Sequence, residues 1–428
     1  MRYTVTRADS AAPAPAVTVV GVGADGWSGL SKGAQEALRQ AQVLIGAERQ
    51  LALLPVECEG ERVAWPSPLR PAVPELLAKH EGLRVCVLAS GDPMFYGIGR
   101  ALAEVAGAER LAVLPHPSSV SYACARLGWA VEDTEVITLV GRPSQNLAAA
   151  LHDGHRVLVL SAGAGTPAEV AELLSAHGFG RTRMHVLEQL GGEREEAIDG
   201  IAEEWSLPPG DPLNVVALEC RSTGEGPRLS LVPGLPDEAY EHDGQLTKRH
   251  VRAATLGALA PAPGELLWDV GGGAGSVAVE WMRAHRSCRA VSVERDPARA
   301  ERIGRNADAL GVPALRVVTG AAPGALAELP TPDAVFIGGG LTVPGVLEAC
   351  WEALPDGGRL VANSVTLESE ALLAGWQRRH GGELFRLGVA QAVPVGGFTG
   401  WRQAMPVTQW SVTRTGRTAN DVASGDEQ

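Results

Sequence analysis

No two of the six cysteines in this sequence stand at C-x-x-C spacing, and no histidine falls at a metal-ligand interval from them. Cys58, Cys86, Cys124, Cys220, Cys288 and Cys350 are scattered singly. A zinc site and a disulfide framework are therefore not indicated, no metal is expected, and each thiol reads as a small apolar side chain. Aromatic residues make up only 4% of the chain and are not interleaved with basic stretches. Together with a formal charge of −13, this argues against the basic face of a nucleic-acid binder. A local cluster of Arg and Lys can still meet an anionic substrate on an acidic protein. No run approaches the roughly 18 apolar residues of a membrane span. The stretch 1–16 carries charges and prolines but no apolar core of signal-peptide length, and reads as a frayed leader. A soluble, cytoplasmic protein is expected.

What is present suits globular folding. The 428 residues are 45% hydrophobic and 20% charged, too long for one ordinary core and sufficient for two. From Val17 short apolar runs alternate with amphipathic stretches. Strands are expected over 17–22, 84–89, 111–114, 136–140, 157–160, 185–187 and 215–218, with helices between them, as over 31–41 and 167–176. That alternation is the mark of an α/β domain. Around 221–245 the rhythm breaks into Gly, Pro and an acidic run, a linker composition in which 229–232 is the one stretch able to pair briefly as a strand. A second alternation follows: a helix from 247 to 259, strands over 265–270, 290–293, 315–318, 334–337 and 359–361, and helices over 276–286 and 297–310. Apolar stretches over 384–390 and 404–412 suggest a closing hairpin, and the polar tail from Thr413 reads as disordered. The expected organisation is a first domain over 17–222, a linker over 223–245 and a second domain over 246–414.

The strongest local signal is Trp268-Asp269-Val270-Gly271-Gly272-Gly273-Ala274-Gly275-Ser276, a strand running through a glycine turn into a helix. Glycines there permit positive φ and let a ligand approach the backbone. The helix N-terminus offers unpaired N–H groups to an anion, worth roughly 0.3–1 kcal/mol. A dinucleotide site of the form G-x-G-x-x-G/A would place a small Gly or Ala at 276, where this chain has Ser. The pattern [D/E]-x-G-x-G-x-G matches at every fixed position from Asp269 to Gly275, and resembles the first motif of Rossmann-like S-adenosylmethionine methyltransferases. Asp269 is then expected to orient water or the ammonium near the methionyl end. Glu294 ends the next strand, nineteen residues after Gly275, where a carboxylate accepts hydrogen bonds from both ribose hydroxyls of either cofactor. Neither N-P-P-Y nor a Pro-Cys motif follows the later strands, which argues against the common nucleic-acid methylating subtypes. The turn Gly338-Gly339-Gly340 instead offers a floor for a bulky planar substrate.

In the first half, Gly21-Val22-Gly23 follows strand one, Ser90-Gly91-Asp92-Pro93-Met94-Phe95-Tyr96-Gly97 follows a second strand, and His116-Pro117-Ser118-Ser119 follows a third. Small-residue loops at successive strand ends make the crevice in which open α/β sheets bind ligands. By apolarity, Met94, Phe95 and Tyr96 read as core anchors in part.

These loops, with S-G-D-P-x-F-Y-G-I-G at 90–99, resemble the tetrapyrrole methylase family. Residues 247–275, including Thr247-Lys248-x-x-Val251-Arg252, and 333–340 resemble the C15-methylating, decarboxylating domain of the cobalamin pathway, as does Leu360-Val361-Ala362-Asn363-Ser364-Val365-Thr366-Leu367-Glu368-Ser369. The resemblance spans 17–412 and implies an N-terminal tetrapyrrole-methylase-type α/β domain fused to a C-terminal Rossmann-like class I methyltransferase domain. It implies two methyl transfers to a corrin precursor, at C5 by the first half and C15 by the second, with loss of CO₂ from the ring C acetate. The implied S-adenosylmethionine contacts are Gly21, Gly23, Ser90, Gly91, Asp92, Phe95, Ser118 and Ser119, then Thr247, Gly271, Gly272, Gly273, Ala274, Gly275, Glu294 and Ala322. Two positions depart from the pattern. Ala24 stands where many tetrapyrrole methylases have Pro, and Ala321 where an acidic residue is frequent.

Lys248, Arg249 and Arg252 lie within about one helical turn and are the candidate cations for substrate carboxylates. Asn363 and His250 are candidate hydrogen-bond or proton partners, and no general base is identified. A homo-oligomer is expected. Three other readings stay open at this level: a methyltransferase for a non-corrin substrate such as diphthamide or ribosomal RNA, a nicotinamide-dependent oxidoreductase, and a non-catalytic cofactor sensor.

Overall fold

The computed structural model describes residues 17–415; the expected leader over 1–16 and the tail beyond 415 lie outside the described residues. The chain divides into two compact units. One runs through Arg142 and resumes over Asp153–Thr223, and the other takes Pro143–His152 and the chain from Gly224.

In the first unit, β1 (Val17–Val22), β2 (Val43–Gly46), β3 (Glu61–Ala64), β4 (Val85–Ser90) and β5 (Leu111–Leu114) form a parallel sheet in the order β3-β2-β4-β1-β5. Parallel sheets are covered on both faces, so their strands read as continuous apolar runs. Val20, Leu44 and Leu88 feed one core, and Val19, Ile45 and Val87 feed another on the opposite face. A second sheet holds β6 (Glu135–Thr138), β7 (Arg156–Leu160), β8 (Arg183–Glu188), β9 (Glu196–Ile201) and β10 (Asn214–Glu219), ordered β6-β7-β10-β8-β9. Only β6 and β7 run parallel in it; the other pairs are antiparallel. Helix α1 (Lys32–Gln40) follows the first glycine loop, its N-terminus capped by the Ser31 hydroxyl. Helix α2 (Ser119–Leu127) is capped by Ser118 and stops at Gly128 in the left-handed conformation.

The second unit contains a seven-stranded sheet of β11 (Leu266–Val270), β12 (Arg289–Glu294), β13 (Arg316–Thr319), β14 (Ala334–Ile337), β15 (Arg359–Ser364), β16 (Glu383–Leu387) and β19 (Val407–Thr413). Its order is β13-β12-β11-β14-β15-β19-β16, parallel as far as β15. The strand order reverses at β11/β14, the switch point beside which open sheets bind ligands. Helices α3 (Arg249–Leu259), α4 (Ser276–Ala284) and α5 (Pro297–Ala309) pack with β11 and β12 around Trp281, Leu256, Leu259, Ile303 and Phe336. Between β16 and β19 is a separate hairpin of β17 (Ala390–Val395) and β18 (Phe398–Gln403).

Several expectations are corrected. Residues 229–232 form no strand, and Val232 is 72% exposed. Part of the expected linker is packed: Leu235 and Tyr240 are buried in the second unit's core. The late apolar stretches do pair, as β16 with β19, but with a further hairpin inserted between them. Order persists past Thr413: the Arg414 N–H donates to Gly358 O, and its guanidinium donates to the carbonyls of Trp351, Glu352 and Leu354. Met94, Phe95 and Tyr96 are all exposed, so none is a core anchor.

Candidate cofactor and substrate sites

In the first unit the three expected loops meet at the carboxyl ends of β1, β4 and β5. A Cβ on Gly21 would lie 2.0 Å from Gly91 O and 2.7 Å from His116 N. Only glycine therefore lets these loops touch. Gly91 has φ +58°, and its N–H donates to Val22 O at 3.0 Å. The Ser90 hydroxyl oxygen accepts from Gln50 Nε2 at 3.0 Å and Arg49 Nη2 at 3.3 Å, which leaves its own hydrogen for a ligand. Asp92 Oδ1 accepts from Met94 N at 2.8 Å, fixing the loop that carries the exposed Phe95. Ser118 Oγ accepts from Ser121 N, and Ser119 opens α2 with its amide in the first turn. Beside Gly23, the Asp25 carboxylate pairs with the buried His116 ring at 3.2 Å, and Tyr122 Oη lies 3.4 Å from the same nitrogen. The sequence places His116 in the third loop but gives no sign of its pairing with Asp25, which lies far from it in the chain.

In the second unit Gly271, Gly273 and Gly275 all have positive φ, between 60° and 76°. A Cβ on Gly271 would meet Gly339 N at 2.8 Å, on Gly273 Gln245 O at 2.9 Å, and on Gly275 the Ile303 side chain at 2.6 Å. The turn after β11 thus rests against the turn after β14 and the irregular segment leading into α3, backbone against backbone. Ala274 is buried in the turn, and α4 begins directly after it. Glu294, 5% exposed, accepts from Gly273 N at 2.9 Å and Asp296 N at 3.0 Å. Each carboxylate oxygen retains a lone pair for a hydroxyl. The loop bearing the half-buried Ala322 follows β13 and is tied to β12 by Gly320 N–H to Glu294 O at 2.9 Å.

The Asp269 carboxylate is enclosed rather than open to the crevice. It is 1% exposed and accepts from Ser292 Oγ at 3.0 Å beneath the turn. Burial pushes its carboxyl up to about 7, with the Glu294 charge adding to the rise and the Ser292 hydrogen bond opposing it. A Cβ on Gly272 would lie 2.1 Å from that same Ser292 Oγ, so Asp269 and Ser292 support the turn from inside.

The expected cation cluster separates. Lys248 and Arg249 are exposed at the start of α3; Lys248 Nζ lies 3.7 Å from Asp237, and Arg249 N–H donates to Asp237 Oδ1. Arg252 is 0% exposed. Its guanidinium donates to Glu280 Oε1 at 2.5 Å, to Thr247 O at 2.5 Å, to Leu235 O and to Asp237. Every arm is committed inside the fold, so Arg252 cannot bind a substrate carboxylate. Thr247 is half-buried and the exposed His250 is on the first turn of α3. Asn363, at the end of β15, faces α3 and donates to Thr255 Oγ1 at 2.9 Å.

Two family models match. The model for tetrapyrrole (corrin/porphyrin) methylases covers residues 16–205, and the precorrin methyltransferase domain covers 238–414. A precorrin-6Y C(5,15)-methyltransferase [decarboxylating] of Sinorhizobium is 49% identical over 96% of this chain and 99% of its own length. The chain belongs to that family. Two shorter relatives of the family also match. One is a cobalt-precorrin-7 C(5)-methyltransferase of Salmonella typhimurium, 34% identical over 42% of this chain and 87% of its own. The other is a probable cobalt-precorrin-6B C(15)-methyltransferase (decarboxylating) of Pyrobaculum calidifontis, 43% identical over 32% and 72%. S-adenosylmethionine is the methyl donor of such enzymes. The residues present fit it: two side-chain-free turns that any Cβ would fill, and in the second unit a carboxylate at the strand end beside the turn. No helix among the described residues is long and apolar enough to cross a membrane.

Proposed function

We propose that the chain methylates a precorrin-6B-type substrate at C5 and C15 and removes the ring C acetate carboxyl as CO₂, giving precorrin-8. In this reading the first unit acts at C5, and the second acts at C15 with the decarboxylation. The observation that carries it is the pair of glycine-walled crevices, one per unit, each at the carboxyl ends of a parallel sheet. Partial matches to relatives named for one methylation each support the division.

S-adenosylmethionine supplies an electrophilic methyl group to each site. The first is formed by Gly21, Gly23, Ser90, Gly91, Asp92, Phe95, Ser118 and Ser119. In the second, Thr247 and the backbone from Gly271 to Gly275 line the crevice, Glu294 holds the ribose hydroxyls, and Ala322 borders the adenine through backbone groups. Holding an enamine-like meso carbon in line is worth several kcal/mol, up to about 7–11 in ideal cases. Lys248 and Arg249 meet substrate carboxylates at the surface, and Asn363 offers an amide. When the ring C acetate loses CO₂, the electron pair of the broken C–C bond enters the protonated, conjugated macrocycle. Self-association and a cytoplasmic location belong to the same proposal, and light scattering of the full chain tests the first.

Calorimetry with S-adenosylmethionine is expected to return two sites per chain. Mass spectrometry after turnover of a cobalt-free precorrin pool is expected to show a gain of two methyl groups and loss of one carboxyl. Turnover without carboxyl loss would remove the decarboxylation from the proposal.

A further inference from the structure

Asn363 belongs to a polar trio that no glycine motif announces, with two fully buried members behind it. Thr255 on α3 and Gln409 on β19 are both 0% exposed. Gln409 is the cross-strand partner of Asn363 in the β15–β19 ladder. The Thr255 hydroxyl donates to Val251 O one turn back, at 2.9 Å, so its oxygen can only accept. Both neighbouring amides therefore turn their NH₂ groups toward it: Asn363 Nδ2 at 2.9 Å and Gln409 Nε2 at 2.9 Å. The second Gln409 N–H is then free to donate to Asn363 Oδ1, which it does at 2.7 Å. Asn363 is held at both ends of its amide in one orientation. It retains one N–H and one oxygen lone pair, and its side chain is only half-buried. Gln409 bears the cost of this arrangement, because its Oε1 is buried with no hydrogen-bond partner among the described residues. An orphaned buried acceptor calls for a reason, and fixing Asn363 supplies one.

We infer that Thr255 and Gln409 are positioning residues that aim the remaining Asn363 N–H at a carboxylate oxygen of the tetrapyrrole in the second unit's site. This rests on the proposed reading of Asn363 as a substrate ligand. Thr255 and Gln409 touch no substrate themselves; they act through the amide.

The test uses the full-length enzyme, a cobalt-free precorrin pool and separate readouts of the C5 and C15 methylations. Thr255→Val keeps the shape and removes the acceptor. It is expected to lower kcat/KM for the C15 reaction about tenfold, with the KM for S-adenosylmethionine within twofold and C5 methylation unchanged. Thr255→Ser, which restores the hydroxyl, is expected to recover it. Asn363→Ala is expected to lose as much, and Thr255→Val added to it to lose no more. Gln409→Met, which also deletes the orphaned oxygen, provides a second probe if the valine variant misfolds. An impaired Asn363→Ala beside wild-type Thr255→Val and Gln409→Met would overturn the positioning role alone. An unimpaired Asn363→Ala would overturn the substrate contact on which it rests. A fall in S-adenosylmethionine affinity matching the fall in turnover would reduce the trio to a structural tie.

Discussion

Glu280→Ala tests the interior placement of Arg252. The Glu280 carboxylate is 4% exposed and accepts from Gly234 N, Leu235 N, Tyr240 Oη and Arg252 Nε, at 2.6, 3.0, 2.9 and 2.5 Å. Burial is the first cause, and the adjacent Glu280 charge the second, that raises the Tyr240 phenol well above its ordinary value, so it stays a donor. Breaking a buried pair by removing one partner costs about 3–5 kcal/mol, because the remaining charge is stranded. Arg252 would keep two carbonyls and Asp237, which places the loss at the lower end, about 3 kcal/mol. A chain of two units need not unfold in one step. Peptide-resolved hydrogen exchange over α3 and α4 is therefore the assay, and protection there is expected to fall on the order of 100-fold. The double variant Arg252→Met with Glu280→Leu should recover only part of the loss, since two backbone N–H groups and the phenol still lack their acceptor. Exchange within about threefold of the parent in Glu280→Ala would refute the reasoning. So would an Arg252→Met variant that keeps its protection yet binds the tetrapyrrole poorly.

Other outcomes follow from the sites. The Asp269 carboxyl binds its proton up to about pH 7 when folded, against an ordinary value of 3.8. The folded state thus holds the extra proton between those limits, and stability should fall as pH rises through that window and level off above it; Asp269→Asn should remove this part of the slope in pH-dependent denaturation. Glu294→Gln should weaken S-adenosylmethionine at one of two calorimetric sites by tenfold or more, the charged acceptor being worth about 1.5–3 kcal/mol. Gly21→Ala places a Cβ 2.0 Å from Gly91 O, and should abolish C5 methylation while C15 methylation continues. Cys220 and Cys350, both pushed by burial up to about 12, should resist iodoacetamide at pH 8 until the protein is unfolded.

How far the sequence carried depends on which side of the chain each signal describes. Strands such as Val85–Ser90 and Leu266–Val270 were legible because a parallel strand is buried on both faces and shows as a continuous apolar run ending in glycine. Glu61–Ala64 and Glu196–Ile201 were not, because they are edge strands with mostly exposed or half-buried side chains and no burial constraint on composition. The glycine turns were legible for the opposite reason: a positive φ or a Cβ-free approach leaves few substitutes. Charge was the weak point. Lys248, Arg249 and Arg252 were grouped by nearness, but 252 falls in register with Thr255, Leu256 and Leu259, the buried stripe of α3, and the i, i+3, i+4, i+7 rule already placed it inward. A buried guanidinium needs a buried carboxylate, and Glu280 sits in a helix whose first eight residues, Ser276 to Arg283, are all buried. The pattern of apolar neighbours therefore held the information that the charges concealed. The same reasoning singles out Thr255 and Gln409: each is a fully buried polar side chain, and both are hydrogen-bonded to the Asn363 amide.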